Sequence, residues 1–279
     1  MKSTAFILIT SLLFTLTVAT VEHPSEKNPH PQWCPYAVCH SNPSCQPCKR
    51  RYLFIIAQGR SGSTTLKNMI NLLPGIRIRG EIGTSLFDML KLFGSDNTIF
   101  HKNGGQFRNS FGHYDYRPNH MTCPAQSLMG AINPPKESDS FHDSDTIIGL
   151  KEIRIHTMEQ VDFLLQHFPC SRFIFNIRST GLEESQKKHF LYHKHTIANN
   201  GLIPALYNEL KKKLGPKRLI QMDMSKWSES EGRAFTALSY WLGFKNCTFH
   251  SLIHDNVNGY AHVGADESLN LGKNCRLEL

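Results

Sequence analysis

Short unbroken apolar runs and helically spaced apolar stripes take turns along most of this chain. Tyr52, Leu53, Phe54, Ile55 and Ile56 form a run with no polar break, which predicts a strand covered on both faces. Leu66, Met69, Ile70 and Leu73 follow at i, i+3, i+4 and i+7, the stripe of a helix packed on a sheet. Ile76 to Arg79 reads as a short strand, and Leu86, Met89, Leu90 and Phe93 mark a helix over 84–93. Next come a strand over Thr146 to Ile155, a helix marked by Met158, Val161, Leu164, Leu165 and Phe168, and a strand over Arg172 to Ile177. Helical patterns over 181–198 and 203–214, a strand over Arg218 to Met222, and a helix lined by Phe235, Leu238 and Leu242 complete the series, with Gly243 as its stop. Such alternation predicts an α/β domain, a central parallel sheet with helices on both faces. Ligands of such sheets bind at the carboxyl ends of the strands.

The rhythm breaks over 94–145, which is rich in Gly, Asn, His, Ser and Pro and shows no sustained period. It reads as a long insertion. Either it docks an anionic acceptor through His101, Lys102, Arg108, His113, Tyr114, Tyr116 and Arg117, or it is a surface excursion pinned by Cys123. The N-terminus reads as an address. Lys2 precedes an apolar stretch from Ala5 to Val21, and Glu22 and several prolines end it. This fits a cleaved signal peptide, or an anchor at the short end of the roughly 17–25 residues that span a bilayer. Residues 22–50 form a Cys/Pro-rich stem, and 51–279 the folded domain.

Composition sharpens this picture. Eight cysteines, four of them in the stem, in a chain with a secretory leader point to disulfides, local or reaching later cysteines. Zinc is the rival, because Cys45 and Cys48 have ligand spacing, although the gaps from Cys34 to Cys39 and from Cys39 to Cys45 fit it poorly. Asn246-Cys247-Thr248 is the one N-glycosylation sequon. A net charge of +8 suits anionic partners. Nucleic acid is not expected, because the clearest basic run, Lys211 to Lys213, sits at a helix end where cations favour the dipole.

The chemistry concentrates between the first strand and the first helix. Gln58 to Thr64 form a loop of small and hydroxyl residues entering a helix, which gathers unpaired N–H groups at the positive end of the dipole: an anion site, above all a phosphate site. It is P-loop-like without being the nucleotide triphosphate loop. Gly59 and Gly62 are three apart, no Gly-Lys-Ser or Gly-Lys-Thr occurs, and the cation is Arg60. An arginine fork with a row of hydroxyls suits a phosphate with no obligatory metal.

Gly59-Arg60-Ser61-Gly62-Ser63-Thr64-Thr65-Leu66 resembles the 5′-phosphosulfate loop of sulfotransferases that use 3′-phosphoadenylyl sulfate, in the form with arginine before Ser-Gly-Ser-Thr found in the Golgi carbohydrate enzymes. Phe173-Ile174-Phe175-Asn176-Ile177-Arg178, followed by Ser185, is similar to the family's 3′-phosphate element; the family's serine falls one position later, where Gln186 stands. Arg218 to Met222 and Trp241-Leu242-Gly243-Phe244 resemble the last core strand and the end of the last core helix. The resemblance implies that Arg60, Ser61, Gly62, Ser63, Thr64 and Thr65 bind the 5′ side of the co-substrate, and Arg178 and Ser185 its 3′-phosphate. It implies sulfuryl transfer to a glycan hydroxyl, neutral or anionic, in the Golgi lumen or after secretion. No histidine stands where cytosolic members carry their base; Ile153 is nearest. Many Golgi members use a glutamate after the second strand, and Glu81 holds that place. Glu81 is the candidate base, Glu152 the runner-up and His156 the third. Lys151, on the strand face opposite Glu152 and Arg154, is placed to reach the sulfuryl group. The alternatives are tyrosine sulfation of proteins, a non-catalytic nucleotide-binding member of the fold, and a small P-loop kinase, the last disfavoured by the missing lysine.

Overall fold

A computed structural model describes residues 30–34, 47–82, 106–109, 112–115, 122–135, 146–182, 202–227, 230, 232–250 and 274–278. In chain order they form β1 (Arg51–Ala57), α1 (Ser63–Ile70), β2 (Ile76–Arg79), the hairpin strands β3 (Gln106–Asn109) and β4 (Gly112–Asp115), α2 (Thr122–Ile132), β5 (Ile147–Glu152), α3 (Met158–His167), β6 (Ser171–Ile177), α4 (Leu202–Lys213), β7 (Leu219–Asp223), α5 (Arg233–Leu242), β8 (Phe244–Lys245) and β9 (Arg276–Leu277). Five strands make one sheet in the order β2-β5-β1-β6-β7, with every neighbouring pair parallel.

The unbroken apolar run of β1 follows from its position at the centre of that sheet. Leu53 and Ile55 point to one face, where they pack with Leu66, Met69 and Ile70 of α1 and Phe235, Leu238 and Leu242 of α5. Tyr52, Phe54 and Ile56 point to the other, against Ala125 and Met129 of α2, Val161 and Leu164 of α3, and Ile203, Leu206 and Leu210 of α4. Each fully buried Leu, Ile, Val, Phe or Met among them contributes about 1.5–3 kcal/mol. The sheet packs so closely at Gly149 that a Cβ there would collide with the backbone carbonyl of Leu53, its register partner.

The strand order creates the site. From the middle of the sheet β1 sends α1 to one face, while its neighbours β5 and β6 send α3 and α4 to the other. A crevice therefore opens at the carboxyl end of β1, where the chain leaves adjacent strands in opposite directions.

Two features depart from the sequence reading. The stretch 94–145 is not wholly irregular, for it contains the β3–β4 hairpin and α2, whose Ala125 and Met129 belong to the core. Part of the stem is also built into the core. Trp33, Cys34 and Cys48 are buried, Cys34 is bridged to Cys170 at the entrance of β6, and the Arg172 guanidinium lies 4.1 Å from the Trp33 ring centroid and 5.2 Å from that of Trp241. A second bridge joins Cys247 to Cys275, and Cys48 and Cys123 are disulfide-bonded as well. The sulfurs of Cys34, Cys48 and Cys170 lie within 4.8 Å of one another, but all three are committed to disulfides rather than available as thiolate ligands. Among the described residues no helix is long and apolar enough to cross a membrane. The stretch 5–21 and the helix expected over 84–93 lie outside those residues, as does 183–198 of the helix expected over 181–198.

Candidate functional site

The loop after β1 is held in an unusual shape. Arg60 has φ 67° and Gly62 φ 75°, so two residues of the turn are left-handed, one of them without glycine's freedom. Gly62 caps α1 with no side-chain hydrogen bond, and the first turn carries no acidic residue, so the helix does not itself offset the positive end of its dipole. Ser63 and Thr65 are buried and Thr64 is partly exposed.

The shape of the turn is imposed from β6. Asn176, fully buried at the end of that strand, donates through Nδ2 to the Ser61 carbonyl at 2.8 Å and to Ser61 Oγ at 2.9 Å. The Ser61 hydroxyl in turn donates to the Gln58 carbonyl at 2.7 Å. Ser61 thus builds the loop with its hydroxyl instead of offering it to an anion. Gln58 completes the lattice: its Oε1 accepts the Arg178 backbone N–H at 3.2 Å, and its own N–H donates to the Asn176 carbonyl at 3.2 Å. The two arginine-bearing turns are therefore hydrogen-bonded neighbours at the carboxyl ends of adjacent strands.

Beyond β6, the Arg178 guanidinium curls over its own turn, with Nε donating to the Thr180 carbonyl at 3.0 Å. Gly181, at φ 67°, allows this; a Cβ there would stand 3.3 Å from Arg178 Nη2. The turn is anchored to the end of β7. Asp223 Oδ1 accepts the N–H of Ser179 at 3.1 Å and of Ser225 at 3.0 Å, and Ser225 Oγ accepts the N–H of Thr180 at 3.0 Å. Burial pushes the Asp223 carboxyl up, but the hydrogen bonds from Ser179 and Ser225 outweigh it and leave the group below the ordinary carboxylate range. Ser185 lies outside the described residues.

On the other side of β1 stands a cluster of charges. Register sets Lys151 beside Ile55, on the face that α1 covers, and its ammonium forms a close ion pair with Glu81 just beyond β2. Arg154 Nη2 is 4.0 Å from the other Glu81 oxygen. Glu152 faces the opposite way and is almost wholly buried. Its Oε1 accepts the N–H groups of Ile153 and Arg154 at 3.0 and 3.1 Å and lies 3.9 Å from Arg154 Nη1, while Oε2 has no partner among the described residues. Burial, assisted by the Glu81 charge, raises its pKa against the opposing pull of Arg154 and the two N–H bonds. Burial lowers that of His156, whose backbone N–H is tied to Gln160 in the cap of α3.

The structure thus gathers Glu81, Lys151, Arg60 with the α1 N-terminus, and Arg178 along the carboxyl ends of β2, β5, β1 and β6, in that spatial order. Sequence reasoning assigned no role to Gln58, Asn176, Asp223 or Ser225. The available signal was a polar residue at the end of an otherwise apolar central strand, as Asn176 is in β6. Among the residues of 94–145 singled out above, Arg108, His113 and Tyr114 lie in the hairpin, and His101, Lys102, Tyr116 and Arg117 lie outside the described residues.

No protein-family model matches this chain, and no curated protein does. Solved structures with a similar course of chain include the sulfotransferase domain of the Synechococcus PCC 7002 olefin synthase, at 15% identity and TM-score 0.45 over 70% of this chain and 74% of that one. The sulfotransferase domain from the curacin biosynthetic pathway matches at 12% identity and TM-score 0.43 over 69% and 74%. A thymidylate kinase from Candida albicans matches at 11% identity and TM-score 0.36 over 74% of this chain and 96% of that one. At such identities neither an activity nor a substrate is carried across to this chain.

Proposed function

We propose that the chain transfers a sulfuryl group from 3′-phosphoadenylyl sulfate to a hydroxyl of a carbohydrate acceptor by in-line displacement. The observation that carries this reading is the Gln58–Arg178 link, which makes one continuous surface of the two anion-binding turns. A nucleotide with phosphates at both its 5′ and 3′ positions is the ligand such a surface fits. Arg60 and the N–H groups at the start of α1 meet the 5′-phosphate that leaves, and Arg178 clamps the 3′-phosphate. Glu81 takes the acceptor's proton as its oxygen bonds to sulfur and the bond from sulfur to the phosphate oxygen breaks. Lys151 stabilises the charge spread over the transferring group.

The disulfides of the folded domain and the apolar N-terminus support a place in the lumen of the secretory pathway, with residues 5–21 either cleaved or retained as an anchor.

The test has two steps. Binding of 3′-phosphoadenosine 5′-phosphate is compared with that of ATP–magnesium, and then transfer of labelled sulfate is measured across a panel of glycans and tyrosine peptides. Arg60→Ala and Arg178→Ala are expected to weaken bisphosphate binding at least tenfold. Glu81→Gln is expected to keep binding and to lose turnover by the roughly 10²–10⁴-fold ascribed to a positioned base. Binding of ATP–magnesium alone overturns the donor assignment. Normal turnover in Glu81→Gln removes it as the base, and loss of turnover in Glu152→Gln beside it transfers the role to Glu152.

A further inference from the structure

One short segment touches both anion-binding turns, and the proposed reaction leaves it without a role. It is the one-turn 3-10 helix Met224–Lys226 with its cap, Asp223, at the carboxyl end of β7. Its first contact is with the turn that carries Arg178. Asp223 Oδ1 holds the Ser179 N–H and Ser225 Oγ holds the Thr180 N–H, so both peptide groups that follow Arg178 are fixed from β7. The second contact is with the turn that carries Arg60. The Met224 side chain fills the space in front of Gly62, so close that a Cβ there would stand 2.5 Å from Met224 Sδ, 3.0 Å from Cγ and 3.1 Å from Cε. Gly62 is the left-handed residue that caps α1. Met224 therefore packs against the hinge of the 5′-phosphate turn while its two neighbours in sequence hold the other turn.

The chemistry of the segment fits a brace better than a ligand. A carboxylate beside a bound phosphate would repel it. Asp223, however, already accepts two N–H groups, which neutralise its lone pairs locally and keep it ionised at neutral pH. A negative group so placed fixes backbone and does not itself seek the anion.

We propose that Asp223, Met224 and Ser225 are positioning residues that set the separation of the two anion-binding turns, and so select a nucleotide phosphorylated at both ends over one that carries only a 5′-phosphate. This rests on the donor assignment made above. The selectivity is a matter of geometry: Arg178 is mobile without the Ser179 and Thr180 anchors, and an arginine free to wander gives up most of its grip on a phosphate.

The experiment is calorimetric titration of the full chain and its Ser225→Ala, Asp223→Asn and Met224→Ala variants with two probes, 3′-phosphoadenosine 5′-phosphate and adenosine 5′-phosphate. Ser225→Ala removes one acceptor from a partly exposed turn and is the variant least able to disturb folding. It is expected to weaken the bisphosphate about five- to tenfold, the factor of one hydrogen bond, and to leave the monophosphate within twofold. Asp223→Asn is expected to act in the same direction, and Met224→Ala, through Gly62, to weaken both probes. In turnover, Ser225→Ala raises the KM for the sulfuryl donor and leaves kcat within twofold, a split that general destabilisation would not produce. Equal loss of both probes in Ser225→Ala and Asp223→Asn, or loss of neither, overturns the brace while leaving the donor assignment standing. A wild-type chain that binds the two probes equally overturns both.

Discussion

Replacing Asn176 with alanine tests whether the Arg60 turn, the proposed 5′-phosphate site, is held in shape from β6. The side chain is fully buried and gives two hydrogen bonds to Ser61, at 2.8 and 2.9 Å. Each contributes about 1 kcal/mol net, and stranding the buried Ser61 carbonyl adds about 1–3 kcal/mol. Against this stands the cost of Arg60 at φ 67°, about 1–2 kcal/mol for a residue with a Cβ. Without Asn176, Ser61 itself still bonds through its hydroxyl and N–H to the Gln58 carbonyl, at 2.7 and 3.3 Å. Those are worth about 2 kcal/mol at most, close to the strain they must offset. The expected loss is about 2–4 kcal/mol, which for a domain of this size lowers Tm by about 5–15 °C. A turn no longer confined to one shape also binds less well, so affinity for 3′-phosphoadenosine 5′-phosphate should fall about tenfold or more. Thermal melts followed by far-UV circular dichroism and calorimetric titration read the two effects separately. Asn176→Asp keeps the volume, removes the donors and sets a carboxylate against the Ser61 carbonyl; it should be at least as severe. A Tm within 2 °C of wild type, with unchanged affinity, would show that the turn keeps its shape unaided.

Three further outcomes follow from buried groups. His167 is 4% exposed and burial pushes its imidazole down to about 4. The unfolded chain therefore takes up a proton that the folded chain refuses, and stability is lost as pH falls from about 6.5 towards 4, by about 3 kcal/mol in all; His167→Gln should flatten that slope in melts run across this range. Glu152 has the opposite sign: its raised pKa means that its contribution is present below about 4.5 and is lost as pH rises. Glu152→Gln should therefore melt no lower than wild type at pH 8, and any advantage should vanish by pH 4; a variant that melts well below wild type at pH 8 contradicts the assignment. The Cys34–Cys170 bridge closes a separation of 136 residues. The double variant Cys34→Ala, Cys170→Ala should lose about 2–5 kcal/mol, read as a lowered Tm that reducing agent lowers little further through this bridge.

The parts of the fold that announce themselves in the sequence are those where one force dominates. β1 and α1 are plain because burial on both faces demands an unbroken apolar run and one face demands a stripe. α2 is hidden for the opposite reason. Its segment Thr122–Ile132 carries Pro124 and Gly130, both of which read as breaks. Pro124 nevertheless falls in the first turn, where a missing N–H costs nothing, and the helix needs only Ala125 and Met129 to dock. The stem is obscure because its place on the core comes from a disulfide and from Trp33 stacked on Arg172, neither of which has a period. In the site, the charged positions were legible one at a time, as Arg60, Glu81, Lys151 and Arg178, because each stands at or just beyond the end of a recognisable strand. The bonds that assemble them were not. Gln58 meets Arg178 across a separation of 120 residues and Asn176 meets Ser61 across 115, and both depend on β6 lying next to β1. Alternation of strands and helices predicts a parallel sheet and leaves the order of its strands open.

That order also separates two kinds of chemistry. On one side of β1, the ends of β6 and β7 present backbone N–H groups and Arg178, and the carboxylate of Asp223 there is already occupied by N–H donors. On the other side, the ends of β2 and β5 carry two carboxylates and two cations within ion-pair range of one another. A proton-accepting carboxylate placed among the proposed phosphate-binding groups would repel the sulfuryl donor. The Glu81–Lys151 pair sits at the boundary between the two, on strands adjoining β1 and on the face of α1. In the proposed reaction Lys151 can serve the base and the transferring group only in turn. While it pairs with Glu81 it restrains the carboxylate, and when negative charge arrives over β1 the ammonium has a second partner within the same crevice. The oxygen it releases is then the one free to receive the acceptor's proton, which couples arrival of the sulfuryl donor to activation of the base.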